Sequence, residues 1–301
     1  MSRLFIIGNG FDKAHCLPTD YSNFKEFVCK SESGGGVYTI IHNAEQKYNS
    51  YGNSSKEWSG FEELLQCIDL ASYSPKEFCT LAESLEPGID GEKFIGKKES
   101  DQIYFMNSLI LNRINKLFNA WIGTINPKKG TINKCLDINK NDEFLNFNYT
   151  TTLEDLYDVD KEKINYLHRK DSNAKGYRYI FGFEEYEERM FKRNLCSVFN
   201  QAIREFIKPV NVLIQNGEVD YLNNIEEVYF WGFSLSTVDK PYIERIFNSH
   251  KETINTVKLC KYQFYNDREK YLELDALIKK CGLKSIELEY FDDCSNSIGC
   301  K

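Results

Sequence analysis

A glycine turn near the start of the chain has the residue types of a phosphate-binding loop. Gly8-Asn9-Gly10 follows Leu4–Ile7, an apolar run that is typical of a strand buried on both faces. Glycine leaves the backbone uncovered, and Asp12–His15 reads as the beginning of a helix, whose free N–H groups favour an anion. The turn lacks the third glycine of the dinucleotide fingerprint, so a plain connection between a strand and a helix fits it equally well.

Two polar side chains are predicted at the ends of later strands. Asn148 follows the apolar run Phe144–Phe147, and its amide suits a ribose hydroxyl or a water because it both donates and accepts hydrogen bonds. His168 follows Ile164–Leu167, and an imidazole suits the role of a general base near neutral pH. The alternatives are structural: Asn148 would tie the backbone of its loop, and His168 would bond to backbone groups of a loop.

A third segment, Trp231–Asp239, places hydroxyl side chains and an acid after another predicted strand. Ser234, Ser236 and Thr237 precede Asp239 and a predicted helix, so the turn suits a second phosphate or a ribose. The alternative is that one of these side chains only caps the helix.

The elements that carry these residues alternate between strands and helices. Further strands are predicted at residues 179–183, 227–231, 256–260 and 286–291, with helices at 20–29, 184–207, 240–248 and 267–281. This alternation predicts an α/β fold with a parallel sheet and helices on both faces. In such sheets ligands bind at the carboxyl ends of the strands, near the point where the strand order reverses, so we expect the polar residues to gather there.

Helical spacing dominates the region between these two sets of strands. We therefore predict one α/β domain over residues 1–301, with a core of residues 1–30 and 136–301 and a helical insertion at about 37–126.

Composition limits the classes of partner. The chain has 301 residues, a net charge of −7 and 28% charged residues, which argues against a broad nucleic-acid surface. We expect no membrane span and no signal peptide, hence a cytoplasmic protein. The ten cysteines are scattered without a CxxC pair, so we expect mostly buried thiols and no metal site.

Five segments together resemble a known family. The segments GNGFDKAHCLPTDYSNF, EWSGFEELL, FNYTTTLEDLY, INYLHR and FWGFSLSTVDKPYIERIF are similar, in this order, to the AbiH family of bacterial phage abortive-infection proteins. The same landmarks resemble a diverged sirtuin-type Rossmann domain, with GNGFD in the place of its NAD loop. Arg169 stands where the sirtuin pattern has a glycine after its histidine.

The resemblance implies that NAD is bound as a substrate and hydrolysed to ADP-ribose and nicotinamide, without a metal. It implies a catalytic role for Asn148, on the nicotinamide ribose or the attacking water, and for His168 as the base. It implies further nucleotide contacts along the chain: Gly8, Asn9, Gly10 and Phe11 at the pyrophosphate with Asp12 beside it, then Pro18, Thr19 and Tyr21, and Gly232, Ser234 and Asp239 at the adenosine end.

Two other functions remain open at this point. The chain would act as a nucleotide-binding sensor or interaction module without turnover, or as a hydrolase of another nucleotide. Under any of these functions we expect a phage or host protein as trigger and a homo-oligomer.

Overall fold

The computed structural model describes residues 2–132, 138–139, 141–171, 177–182, 206–222, 224–265, 267–283 and 286–292. Contacts between Cα atoms divide the chain into two compact units. The first unit comprises Met1–Thr19, Ile125–Ile180 and Pro209–Lys301, and the second comprises Asp20–Thr124 and Phe181–Lys208.

The first unit is built on an open parallel sheet. Its strands are β1 (Arg3–Ile7), β2 (Glu143–Asn146), β3 (Ile164–Tyr166), β6 (Glu227–Trp231), β7 (Thr256–Cys260) and β8 (Glu287–Phe291). They lie side by side in the order β3-β2-β1-β6-β7-β8, and every neighbouring pair is parallel. The order reverses between β1 and β6, so the carboxyl ends of these two strands mark the switch point at which α/β proteins bind ligands.

Successive apolar residues of a strand lie on opposite faces of the sheet, so both faces are buried. Phe5 and Ile7 of β1 belong to a core on one face, while Leu4 and Ile6 belong to a core on the other. Helices supply the remaining residues of both cores. Phe11 and Leu153 contribute to the first, from α1 (Asn9–Ala14) and α7 (Thr152–Tyr157). The second includes residues of α8 (Val210–Gln215), α9 (Lys240–His250), α10 (Lys261–Phe264) and α11 (Arg268–Lys280).

The second unit is helical where the structure describes it. Its helices are α2 (Tyr21–Lys30), α3 (Gly35–Ser50), α4 (Phe61–Leu64), α5 (Pro75–Leu85) and α6 (Glu99–Thr124). A buried aromatic cluster joins α2, α4 and α6, since the ring of Phe24 lies 5.5 Å from that of Phe61 and 4.8 Å from that of Phe118. The helical segment predicted at residues 37–126 lies in this unit apart from its last two residues.

The predicted α/β fold with a parallel sheet and helices on both faces is confirmed. The strands that contribute to the sheet lie within one residue of their predicted positions.

Two predictions about individual elements were wrong. The strand predicted at 179–183 is instead β5 (Tyr177–Tyr179), which pairs antiparallel with β4 (Arg169–Asp171) outside the main sheet. Helix α1 begins at Asn9 rather than Asp12, and His15 follows its last residue. The helix predicted at 184–207 lies outside the described residues, except for its last two positions.

Candidate functional site

The glycine turn after β1 packs directly against the turn after β6. The N–H of Gly8 donates to the carbonyl of Trp231 across 3.1 Å, and the N–H of Gly10 donates to the carbonyl of Gly232 across 2.9 Å. A Cβ atom on Gly10 would lie 2.7 Å from the Cα of Gly232. Backbone packing therefore requires these glycines, and two of the amides that the motif offers to a phosphate are already bonded.

Asp12 is buried at the end of this turn, beside the loop that follows β2. Only 1% of Asp12 is exposed, and its carboxyl oxygens accept hydrogen bonds from the hydroxyls of Thr150 and Thr152, each across 2.7 Å. Burial raises the pKa of Asp12 to about 6, although the bonds from Thr150 and Thr152 and the amide of Asn148 act to lower it. The acid expected beside a pyrophosphate thus holds the loop at the end of β2.

Asn148 lies in that loop with an unsatisfied donor. Its backbone N–H donates to Oδ1 of Asn146 across 2.8 Å, which holds the turn after the strand. The residue is 4% exposed, and its Nδ2 lies close enough to the carboxyl of Asp12 to lower the pKa of that acid, without a well-formed hydrogen bond to any described residue. A buried amide donor without a well-formed hydrogen bond is unfavourable, so a ligand that accepts a hydrogen bond from Nδ2 would be stabilised here.

His168 lies at the end of β3, as predicted, and contacts an acid from the turn after β6. Its Nε2 lies 3.2 Å from Oδ1 of Asp239, whose Oδ2 accepts a hydrogen bond from the hydroxyl of Ser236 across 2.8 Å. The ring of Phe147 meets the imidazole edge to face at 5.1 Å. Because Phe147 and Asn148 are consecutive, the group around His168 adjoins the group around Asp12 at the end of β2.

Arg169 contacts the loop that follows β2. Its Nη1 donates to the carbonyl of Tyr149 across 3.1 Å, its Nη2 lies 3.6 Å from Oε1 of Glu154, and its guanidinium lies 3.5 Å from the ring centre of Tyr166. The Tyr166 hydroxyl donates to the backbone carbonyl of Thr150 across 3.1 Å, and burial raises the pKa of Tyr166. Arg169 is therefore bound to the loop that carries Asn148.

The other predicted contact residues lie in different surroundings. Asn9 is exposed and its side-chain amide donates to the carbonyl of Thr19 across 3.1 Å, while Phe11 is buried with its ring 4.6 Å from that of Trp231. Pro18 and Ser234 are exposed, and Gly232 has a positive φ of 72°. Tyr21 belongs to the second unit, where its hydroxyl donates to Glu62 across 2.8 Å.

Sequence reasoning missed the partners that hold these residues. The sequence analysis did not identify Thr150 and Thr152 as partners of Asp12, and it interpreted Ser236 as a ligand-binding or helix-capping residue. The alternation of threonines was the available signal, because two hydroxyls spaced by two residues after a strand can reach one carboxylate. Nothing in the sequence indicated that Asp239 would meet His168, since 71 positions separate them.

The described part of the chain contains no group of three or more His, Cys, Asp or Glu side chains that could hold a metal ion. No helix there has the length and the apolar composition needed to cross a bilayer. Cys29, Cys67, Cys79, Cys260 and Cys281 are free thiols, whereas Cys16 is disulfide-bonded.

The protein is a Rossmann-like α/β protein, because its sheet is open and parallel and the strand order reverses beside β1. Polar side chains lie at the carboxyl edge of this sheet, where such proteins bind ligands. Residues 4–259 match the model of the family described as bacteriophage abortive infection AbiH. The chain therefore belongs to the AbiH family of phage abortive-infection proteins, as its motifs suggested. No curated protein and no solved structure shows significant similarity to it.

Proposed function

We propose that this AbiH protein binds NAD at the carboxyl edge of its sheet and hydrolyses it to ADP-ribose and nicotinamide during phage infection. The hydrolysis depletes NAD in the infected cell and so stops phage multiplication. The sirtuin-like reading of the motifs, with Asn148 and His168 as catalytic residues, is part of this proposal.

The observation that carries the proposal is the buried amide of Asn148, whose Nδ2 lies near Asp12 without a well-formed hydrogen bond to a described residue. A ligand that accepts a hydrogen bond from Nδ2 recovers the cost of burying it. Ribose hydroxyls and an attacking water both offer such an acceptor. Asp12 supports this assignment, since its contact with the Asn148 amide holds that amide in the loop after β2.

The reaction needs few groups from the protein. The bond between C1′ of the ribose and the nicotinamide nitrogen breaks, its electrons neutralise the pyridinium ring, and C1′ becomes oxocarbenium-like. A water then forms a bond to C1′, and its proton passes to His168 and on to solvent. Asn148 orients the ribose or the water, and correct placement supplies much of the rate enhancement.

The glycine turn contributes a close approach rather than a row of free amides. Gly8 and Gly10 have no side chains, so the turns after β1 and β6 pack closely together at the switch point. The pyrophosphate lies along these turns in our proposal, with Gly232 and Ser234 of the turn after β6 at the adenosine end.

The test is release of nicotinamide from NAD by the purified protein, alone and with extract of phage-infected cells as a source of trigger. We expect release by the wild type, and a loss of at least about 100-fold in the variants Asn148→Ala and His168→Ala, the range for a lost positioning or base group. Asn141→Ala is the matched control, because Asn141 is exposed just before β2.

Two results would overturn the proposal in different ways. NAD that raises the melting temperature without any release of nicotinamide, in both conditions, identifies a sensor. Release that survives both substitutions refutes the catalytic roles of Asn148 and His168.

A further inference from the structure

We infer that Gln263 recognises the adenosine ribose of the nucleotide: its Oε1 accepts a hydrogen bond from a ribose hydroxyl, and the protein therefore selects NAD over NADP. The inference deepens the proposed function and rests on it for the place of the nucleotide. Gln263 lies in the short helix α10 directly after β7, beyond the residues 4–259 that match the family model.

The side-chain amide of Gln263 has a defined orientation. Its Nε2 donates a hydrogen bond to the backbone carbonyl of Phe233. A carbonyl oxygen only accepts hydrogen bonds, so the nitrogen of the amide must face Phe233 and the oxygen must face away from it. Oε1 is buried and has no hydrogen-bond partner among the described residues. Gln263 thus offers an unused acceptor, whose direction is fixed by the bond that the nitrogen makes.

The bond to Phe233 places this amide at the switch point of the sheet. Phe233 follows β6, and its Cα would lie 2.6 Å from a Cβ atom on Gly8. The backbone of Phe233 therefore lies against the glycine turn after β1, where the proposed pyrophosphate binds. The Gln263 amide is one hydrogen bond away from that backbone. A ribose is the group attached directly to a pyrophosphate, so a ribose is the part of the nucleotide that Oε1 meets.

Two amides flank the switch point, one on each side. Asn148 follows β2 and Gln263 follows β7, with β1 and β6 between these strands. Neighbouring strands lie about 4.8 Å apart, so the ends of β2 and β7 are roughly 14 Å apart. A dinucleotide has two ribose rings joined by a pyrophosphate and can meet both amides, whereas a mononucleotide has one ribose. In this arrangement Asn148 acts at the nicotinamide ribose and Gln263 at the adenosine ribose.

The unused acceptor determines which dinucleotide is preferred. A ribose hydroxyl donates to Oε1 and recovers the cost of burying it. In NADP the 2′-hydroxyl carries a phosphate, whose oxygens are negatively charged acceptors. Beside Oε1 the phosphate leaves the acceptor unfilled, and the partial negative charge of Oε1 repels it. Because the 2′- and 3′-hydroxyls are neighbours on the ring, the phosphate disfavours a bond from either of them.

The experiment compares two dinucleotides and two products. Release of nicotinamide from NAD and from NADP by the purified protein gives kcat/KM for each. Calorimetry with ADP-ribose and with its 2′-phosphate measures binding without any need for hydrolysis. We expect the wild type to prefer NAD over NADP by at least about 100-fold in kcat/KM, and to bind ADP-ribose more tightly than its 2′-phosphate in the same sense.

Two variants and a control assign this preference to Gln263. Gln263→Met keeps the length of the side chain without the acceptor, so KM for NAD should rise about tenfold with kcat within about threefold of the wild type. Gln263→Arg supplies donors for both Phe233 and a 2′-phosphate, so the preference should shift toward NADP. Asn165→Leu is the matched control, because Asn165 is another half-buried amide of the same unit that donates to a backbone carbonyl, that of Glu218.

The outcomes separate the inference from the proposed function. Similar kcat/KM for NAD and NADP, or a preference for NAD that both Gln263 variants retain, overturns the role of Gln263 and leaves the proposed hydrolysis unaffected. Tighter binding of ADP-ribose than of its 2′-phosphate, in a protein that never releases nicotinamide, supports the role of Gln263 and overturns the hydrolysis. A wild type that binds neither product and hydrolyses neither dinucleotide overturns both. If neither variant folds, the preference of the wild type between the two products decides.

Discussion

The hydroxyl of Thr150 donates a hydrogen bond to Oδ2 of Asp12 across 2.7 Å, joining the turn after β1 to the loop after β2. The two residues are 138 positions apart in the chain. The carboxyl group that accepts this bond is buried, and burial raises its pKa to about 6. The contact therefore holds the loop of Asn148 in place, and the burial of the carboxyl makes the stability of the protein depend on pH.

Asp12 should make the protein less stable as the pH rises from about 4 to about 7. The folded protein keeps a proton on Asp12 up to about pH 6, whereas the ordinary value of 3.8 applies to the unfolded chain. The folded state thus binds more protons in this window, and its free energy of unfolding falls as they are lost. Between pH 4.5 and 7.5 the stability of the wild type relative to Asp12→Asn should fall by roughly 2 kcal/mol.

Urea unfolding of both proteins at the two pH values measures this difference. In Thr152→Val a hydrogen bond that lowers the pKa of Asp12 is lost, so the fall in stability should shift to higher pH. A stability difference between wild type and Asp12→Asn that does not change with pH would contradict the raised pKa of Asp12 in the folded protein.

Two buried asparagines near the end of β2 should respond oppositely to the same substitution. Asn148→Leu removes a buried donor that makes no well-formed hydrogen bond to a described residue and should raise the free energy of unfolding by about 1 kcal/mol. Asn146→Leu removes the acceptor for the N–H of Asn148 and should lower it by about 2 kcal/mol. Chemical denaturation measures both, and a loss of stability in Asn148→Leu as large as in Asn146→Leu would mean that Nδ2 is satisfied in the free protein.

Two arginines that bind carboxylates should differ in their effect on stability. The side chain of Arg169 is 4% exposed and Arg169→Gln should lower the free energy of unfolding by about 2–4 kcal/mol. Arg245 binds Asp220 with a side chain that is 48% exposed, and Arg245→Gln should cost less than about 1 kcal/mol. Equal costs would contradict the role of Arg169 in holding the loop after β2.

Two glycines with the same backbone angle allow packing to be separated from strain. Gly232 and Gly282 both have a φ of 72°, but a Cβ on Gly232 would lie 2.0 Å from the backbone nitrogen of Phe11, whereas a Cβ on Gly282 would meet open space. Gly282→Ala should cost about 1–2 kcal/mol, and Gly232→Ala at least about 2 kcal/mol more. Similar melting temperatures for the two variants would show that the turns after β1 and β6 separate easily.

Much of the fold follows from local sequence patterns. Short apolar runs such as Leu4–Ile7 mark buried strands, and helical spacing marks the insertion, because both patterns depend only on residues near each other in the chain. The segment at 179–183 was misread because an apolar run does not show whether a strand joins the main sheet or pairs with a neighbour.

The positions of the candidate site residues were predictable from the sequence, whereas their hydrogen-bond partners were not. The rule for parallel sheets places Asn148 and His168 at one edge, as the structure has them. The pairing of Asp12 with Thr150, and of Asp239 with His168, depends on which loops meet after folding. The sequence left Gly8 and Gly10 open between a phosphate-binding loop and a plain connection. The structure shows that the close contact with Gly232 by itself requires glycine at both positions.

The most direct test of NAD hydrolysis in phage defence is to measure NAD and ADP-ribose by mass spectrometry in infected cells. Cells expressing the wild type, Asn148→Ala, His168→Ala and the control Asn141→Ala are sampled through one infection cycle, with each protein confirmed at equal abundance. We predict that NAD falls and ADP-ribose rises before lysis only with the wild type and Asn141→Ala, and that only these two restrict the phage. Restriction of the phage by the wild type with NAD unchanged would contradict the account.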